Sequence, residues 1–176
     1  ATLRAPDGSR WIDTICGWSR DLEIDRVWIA TDRPDEIGRI PDGCDVLPDA
    51  YPDRGPASGL LAALRASRSD VLLLSCDQPK LRPGLLGTLL TAASGRAETN
   101  IVFSSVGPGG AFEPLPGVYR FANLDIIEGK LSERSCSLYS ILKDTPTETI
   151  RLPDDKTPAL VNINDPVGYE AYLRET

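Results

Sequence analysis

Asp77 directly follows a short apolar run and is the residue of this chain best suited to hold a metal ion. Residues 71–74 are all apolar, and the chain turns polar at Ser75, Asp77 and Pro79. Such a run predicts a strand buried on both faces of a parallel sheet, where ligands bind at the carboxyl ends of strands. A carboxylate there suits Mg²⁺, which takes a few oxygen ligands together with substrate phosphates. The alternative is that Asp77 only starts a turn or caps a helix.

A second stretch with ligand-binding character covers residues 49–59 and leads into a helix. Gly55 and Gly59 allow the backbone to approach a ligand closely. Free backbone amides at the start of a helix suit an anion or the edge of a base. Glycine, proline, serine and aspartate are equally common in ordinary loops, so this stretch alone is compatible with both interpretations.

A third stretch lies near the carboxyl terminus, where Asn162 and Asn164 alternate ahead of Asp165. If residues 159–163 form a strand, the two asparagine side chains face the same side. Their amides can both donate to and accept from a heterocycle. The simpler interpretation is that Asn164 or Asp165 caps the last helix.

The elements that must position these residues alternate between helices and strands along most of the chain. Helices are predicted over residues 10–22, from 56 or 57 onward, and over 83–93, 124–127, 136–143 and 165–173. Strands are predicted over residues 26–31, 43–47, 71–75, 100–105, 116–120, 148–152 and 159–163. This alternation predicts one α/β layered domain with a mainly parallel sheet.

The composition excludes several classes of function. The 176-residue chain has a net charge of -7, which argues against charge-driven binding to nucleic acid or an anionic membrane. No apolar run approaches the length of a transmembrane helix. The chain has no histidine, which excludes Ser-His-Asp and Cys-His catalysis. Its four cysteines form no CxxC pair, and we expect a cytoplasmic protein with reduced thiols.

As an ordered set, the motifs resemble the molybdenum cofactor guanylyltransferase family. In chain order they are GPASGLLAALRAS, CDQP, PLPGVYR, ERSCSLYSIL and LVNINDP, and the resemblance covers about residues 10–170. It implies a Rossmann-like three-layer nucleotidyltransferase fold in a single domain over residues 1–176. It also implies Mg²⁺-dependent transfer of GMP from GTP to molybdopterin that carries molybdenum, with release of pyrophosphate. Other molybdenum cofactor biosynthesis proteins are further partners that it implies.

The resemblance also implies roles for individual residues. Asp77 would be the catalytic, metal-binding carboxylate. The residues that it implies for binding the nucleotide and the pterin are Asp32, Asp49, Gly55, Pro56, Gly59, Asn162 and Asn164. Of this set, Asp49, Gly55 and Gly59 would line the guanine nucleotide pocket, and the two asparagines would lie on the pterin-side wall. After the second strand the family usually has asparagine, whereas this chain has Thr31 and Asp32.

The chain departs from the family pattern at its start. The family opens with a strand and a Gly-rich loop, of the form Leu-Ala-Gly-Gly followed by Arg and Lys, which grips the triphosphate. Residues 1–176 contain no match to it. A doubly wound sheet without its first strand would have a gap with open backbone edges, so we expect this segment to precede the present sequence. The alternatives are a non-catalytic relative that acts as an accessory or interaction protein, and a nucleotidyltransferase that uses CTP or a sugar phosphate.

Overall fold

The computed structural model describes residues 3–104, 112–133, 137–152 and 154–174. Its helices are α1 (Trp11–Asp21), α2 (Pro56–Ser67), α3 (Pro83–Ala93), α4 (Leu124–Ser132), α5 (Leu138–Asp144) and α6 (Pro166–Arg174). Its strands are β1 (Val27–Ala30), β2 (Cys44–Leu47), β3 (Val71–Leu73), β4 (Asn100–Ser104), β5 (Phe112–Tyr119) and β6 (Thr147–Arg151). Among the helices in these ranges, none combines the length and the apolar character that crossing a bilayer requires.

The strands form two separate sheets. β1 and β2 pair in parallel, while the larger sheet has the order β3-β5-β4-β6. Within the larger sheet β4 and β6 are parallel, whereas β5 runs antiparallel to both β3 and β4. The predicted α/β class is confirmed, and the antiparallel direction of β5 is a feature that the sequence pattern did not indicate.

The larger sheet lies between two layers of helices. Val102 and Tyr119 pack in one apolar cluster with residues of α2, α4 and α5. Ile101, Phe103 and Val118 pack in a second cluster with residues of α1 and α3. Because successive side chains of a strand point to opposite faces, the two clusters cover opposite faces of the sheet. This arrangement confirms the three-layer architecture.

The strand that precedes Asp77 is not buried as the sequence predicted. β3 ends at Leu73 rather than at Ser75, and its three residues are only half-buried. The fully buried strand is β4, which lies between β5 and β6. β3 is only half-buried because it forms the edge of its sheet, with β5 on one side and no strand among the described residues on the other.

The predicted strand over residues 159–163 is wrong. Residues Asp154–Leu160 form a 3-10 helix that contains Pro158, and the chain after it has no regular structure. Proline lacks a backbone N–H and has a fixed φ, which disfavours a strand here. The N–H of Ile163 donates to the backbone carbonyl of Asp77 at 2.7 Å instead of to a neighbouring strand. The two asparagines that flank this residue therefore do not share one face of a strand.

Candidate functional site

Asp77 lies just beyond the end of β3, with its side chain half-buried. The hydroxyl of Ser75 donates to Oδ1 of Asp77 and so orients the carboxylate. Among the described residues Asp77 makes no ion pair. The carboxylate is thus oriented by a neutral hydroxyl group and has no cationic partner among the described side chains.

The third sequence stretch is attached to the same strand end. The hydrogen bond from Ile163 to the carbonyl of Asp77 brings Asn162 and Asn164 to the end of β3, where both asparagines are exposed. Oδ1 of Asp165 accepts a hydrogen bond of 2.8 Å from a backbone amide in the first turn of α6. The simpler interpretation of this stretch, a helix cap, is therefore confirmed for Asp165.

Gln78 is a buried residue of this strand end that the sequence analysis missed. Its side chain is 2% exposed, and its Nε2 donates to the carbonyl oxygens of Leu115 and Leu160 at 3.0 Å each. These bonds attach the loop after β3 to β5 and to the 3-10 helix. The sequence contained one clue to this role, a glutamine next to the candidate metal ligand. The two carbonyl groups that it contacts belong to residues far away in the sequence, so the role could not be predicted.

The second sequence stretch forms the start of α2 as predicted. Gly55 is the residue before the helix and has a φ of 63°, a left-handed conformation that glycine adopts without strain. Pro56 occupies the first turn of the helix, where its missing N–H costs nothing. The hydroxyl of the buried Ser58 accepts from the N–H of Tyr51 at 2.6 Å and donates to its carbonyl at 2.7 Å. The loop is therefore fixed onto the helix by a serine inside the motif.

Two carboxylates lie beside this loop. Oδ2 of Asp32 accepts a hydrogen bond of 3.1 Å from the N–H of Asp53. Burial, and to a smaller extent the charge of Asp32, raises the pKa of Asp49. An acidic pair of this kind favours a ligand that brings N–H donors or positive charge.

One cavity of about 930 Å³ lies between the start of α2 and the chain that follows β3. Five of the eight predicted site residues line it, namely Asp32, Asp49, Gly55, Pro56 and Gly59. Ser75 and Cys76 line it from the side of β3. Asp77 and the two asparagines are not among the lining residues; they lie together just beyond Cys76 at the end of β3.

The side chains present fit a metal ion that is shared with a phosphate ligand. Among the residues that the structure describes, no three acidic or thiol side chains converge into a metal-binding group. Mg²⁺ often takes only one or two carboxylates, with phosphates and water as the other ligands. A single carboxylate such as Asp77 is therefore compatible with a magnesium ion whose other ligands are nucleotide phosphates and water. The described residues do not form a site in which protein groups alone would coordinate the ion.

We expect Gly59→Ala to destabilise the protein, because this glycine lies at a close contact between α2 and β1. A methyl group at Gly59 would lie 2.7 Å from Cβ of Ala30 and 3.1 Å from Oδ1 of Asp49. Overpacking of this kind costs about 1–3 kcal/mol. The measurement is the free energy of unfolding in urea.

Gly87→Ala in α3 is the matched control, since a methyl group there would meet nothing within 4 Å. Alanine has the higher helix propensity, so this change is expected to stabilise the protein by up to about 1 kcal/mol. Equal stabilisation by both substitutions would show that α2 and β1 are not in close contact at Gly59.

Asp49→Asn is expected to raise the stability of the protein at neutral pH. Because folding raises the pKa of Asp49, the folded state binds the proton of this carboxyl group more tightly than the unfolded state does. The free energy of unfolding therefore falls as the pH rises above 3.8, the ordinary pKa of an aspartate. Asparagine is neutral at every pH and does not cause this decrease. The melting temperature of the variant should exceed that of wild type at neutral pH, and the difference should vanish at acid pH. Asp45→Asn, at an exposed position of β2, is the control and should give no such pattern.

The layered α/β architecture with polar strand ends around one cavity is the fold of a nucleotidyltransferase. The molybdopterin-guanine dinucleotide biosynthesis protein A from Archaeoglobus fulgidus superposes with a TM-score of 0.77 at 15% identity, over 99% of this chain and 89% of that one. The 2-C-methyl-D-erythritol 4-phosphate cytidylyltransferase from Thermus thermophilus gives 0.64 at 15% identity, over 96% and 89% of the two chains. At these identities the likeness establishes the fold alone.

The sequence identifies the family within this class. The profile of the MobA-like NTP transferase domain matches residues 1–148, and the chain belongs to this family. A probable molybdenum cofactor guanylyltransferase from Flavobacterium johnsoniae is 28% identical over 119 residues, which is 67% of this chain and 60% of that relative. The chain spans 60–66% of the length of the curated relatives that it matches. The resemblance read from the motifs is thereby confirmed.

Proposed function

We propose that this protein is a Mg²⁺-dependent guanylyltransferase that transfers GMP from GTP to molybdopterin carrying molybdenum. The observation that carries the proposal is the position of Asp77 at the end of β3, next to one cavity that contains the acidic pair Asp32 and Asp49. The family and the names of its relatives support the same reaction.

The acidic pair supports guanine as the base. Ionised Asp32 and Asp49 can only accept hydrogen bonds. The pairing edge of guanine offers donors at N1 and at the N2 amino group, whereas that of cytosine offers only its N4 amino group. A ligand that donates to both carboxylates would also offset the burial and repulsion that raise the pKa of Asp49.

Asp77 is the residue proposed to hold Mg²⁺, with Ser75 orienting its carboxylate. When bound, the ion neutralises charge on the phosphates as a Lewis acid. The rigid attachment of this strand end through Gln78 keeps the carboxylate in one position. The protein thereby supplies electrostatic preorganisation that needs no movement during the reaction.

The chemistry that this site must support is a displacement at the α-phosphorus of GTP. An oxygen of the molybdopterin phosphate forms a bond to the α-phosphorus while the bond to the leaving phosphate oxygen breaks, and pyrophosphate departs. No protein nucleophile is required, which suits a chain without histidine. Asn162 and Asn164 are exposed beside Asp77, where their amides can donate to and accept from the pterin ring.

The test is pyrophosphate release with molybdopterin that carries molybdenum, Mg²⁺ and either GTP or CTP. The proposal expects turnover with GTP, loss of turnover when EDTA removes the metal, and competition by CTP only at a large excess. Equal use of CTP would instead support a cytidylyltransferase, the activity named for the Thermus thermophilus structure. Absence of binding to any nucleotide would support the non-catalytic alternative, which is motivated by the missing match to the triphosphate loop in residues 1–176.

A further inference from the structure

We propose that Gln78 is a positioning residue for the acceptor substrate, because it fixes residues 161–164 relative to the carboxylate of Asp77. Residues 161–164, here called the acceptor segment, contain Asn162 and Asn164, the asparagines proposed to contact the pterin. The inference rests on the proposed function and adds a residue that acts through this segment. Gln78 is 2% exposed, so it is inaccessible to either substrate.

The acceptor segment has no helix or sheet hydrogen bonds of its own. It lies between the 3-10 helix that ends at Leu160 and helix α6, and its backbone is irregular throughout. Asn162 and Asn164 are exposed, so their side chains are not held by packing. A segment of this kind keeps its position only through its contacts with ordered parts of the chain.

Two hydrogen bonds attach this part of the chain to adjacent residues at the end of β3. The N–H of Ile163 donates to the carbonyl of Asp77 at 2.7 Å, and Nε2 of Gln78 donates to the carbonyl of Leu160 at 3.0 Å. The same Nε2 also donates to the carbonyl of Leu115 in β5 at 3.0 Å. Gln78 therefore joins three parts of the chain at one point: the end of β3, β5 and the residue before the acceptor segment.

The chemistry of the Gln78 side chain fits this joining role. A side-chain amide is a neutral group that can donate two hydrogen bonds from one nitrogen atom. Its oxygen, Oε1, is buried and finds no hydrogen-bond partner among the described residues. A buried acceptor without a partner lowers stability, so packing alone does not account for a glutamine at this position. What the side chain contributes is the pair of bonds that Nε2 donates.

Loss of these bonds should affect the two substrates differently. Asp77 remains attached to β3 and its carboxylate remains oriented by Ser75, so the metal side of the site is retained. Gln78 does not line the cavity that contains Asp32 and Asp49, so the nucleotide pocket is retained too. The acceptor segment, in contrast, loses the attachment at its start, and the acceptor loses its fixed position relative to the metal ion.

The test is the substitution Gln78→Met, which fills a similar volume but donates no hydrogen bond. Equilibrium binding of molybdopterin that carries molybdenum and of GTP is measured separately, each with Mg²⁺. The dissociation constant for molybdopterin should rise at least about tenfold, because the segment is in its binding position in a smaller fraction of molecules. The dissociation constant for GTP should stay within about twofold of the wild-type value, as expected for a distant site.

The matched control is Asn123→Leu, which also removes a buried amide that donates two hydrogen bonds. Asn123 is 4% exposed, and its Nδ2 donates to the carbonyl of Glu98 and to Oδ1 of Asn100 at 3.1 Å each. It lies at the opposite end of the sheet, just after Tyr119, which pairs with Val71 at the start of β3. Both dissociation constants should therefore be unchanged in this variant.

Amide hydrogen exchange without substrates provides a second measurement. The amide of Ile163 should exchange at least about tenfold faster in Gln78→Met than in Asn123→Leu, because its bond to Asp77 opens more often once the segment is released. If Gln78→Met does not fold, Ile163→Pro replaces it in the binding measurements, since proline removes the N–H that holds the segment to Asp77. The same selective loss of molybdopterin binding is then expected.

Unchanged molybdopterin binding, equal weakening of both ligands or unchanged exchange at Ile163 would each overturn the inference. The proposed function can fail separately from it. If the wild-type protein binds molybdopterin but transfers no GMP to it, the proposed reaction is wrong, while the selective loss in Gln78→Met would still support the positioning role. If the wild-type protein binds no molybdopterin, both proposals are wrong.

Discussion

Asp77→Asn is expected to reduce the proposed Mg²⁺-dependent formation of a guanylated product by about two orders of magnitude, because a bound metal contributes several kcal/mol to stabilising transition-state charge. Asparagine has nearly the same shape as aspartate, and its Oδ1 can still accept the hydrogen bond from Ser75. The substitution therefore removes the charge of residue 77 while the strand end keeps its attachment. The measurement is the initial rate of pyrophosphate release at saturating GTP.

The control for this prediction is Asp35→Asn, which removes one charge at an exposed position in the 3-10 helix that follows β1. We expect this variant to react at the wild-type rate. The lower rate of Asp77→Asn would then result from the position of that carboxylate and not from the change in the net charge of the protein. A wild-type rate with unchanged Mg²⁺ dependence in Asp77→Asn would mean that the metal, if one is used, is held elsewhere.

Arg120→Met is expected to cost about 2–3 kcal/mol of the free energy of unfolding. Arg120 is 5% exposed, and its guanidinium is 2.7 Å from Oδ2 of Asp70. It also donates to the carbonyl of Thr99 at 2.8 Å and to the carbonyl of Ala93. Methionine fills much of the same volume but leaves these acceptors without their donor. The estimate lies below the 3–5 kcal/mol typical of a broken buried pair because the Asp70 side chain is 42% exposed.

Arg65→Met is the control for this prediction, since Arg65 forms an ion pair with Glu128 in which both side chains are about as exposed as Asp70. Surface pairs contribute about 0–1 kcal/mol, so this change should have a small effect. Chemical denaturation of both variants gives the comparison. Similar losses of stability in the two variants would contradict the role assigned to the burial of Arg120.

Most elements could be predicted from the sequence because their patterns are local. The helix predicted over residues 83–93 is observed with the same bounds as α3, and the proline-containing start of α2 is found where glycine and proline indicated it. The strand predicted over 159–163 failed because its apolar residues follow Pro158, and because the backbone of Ile163 is used to hold Asp77. That partner is remote in sequence, so no local pattern contained it.

The burial of β3 and the direction of β5 depend on neighbours that the sequence does not reveal. The apolar run before Asp77 resembles that of a central strand, yet among the described residues β3 is an edge strand that lines the cavity. Periodicity indicates that a residue run forms a strand, but not which strand pairs with it or in which direction. The supporting roles of Ser58 and Gln78 were missed for the same reason, since their partners become neighbours only in the folded chain.

The proposed position of a divalent ion is tested most directly by titrating Mn²⁺, a paramagnetic substitute for Mg²⁺, into the protein with GTP while recording amide NMR signals. We predict that the signals of Cys76, Asp77 and Ile163 broaden first, that the exposed Asp35 is unaffected at that stage, and that Asp77→Asn abolishes the effect. Broadening centred on another part of the described structure, or the same pattern in Asp77→Asn, would contradict a metal ion held by Asp77 at the end of β3.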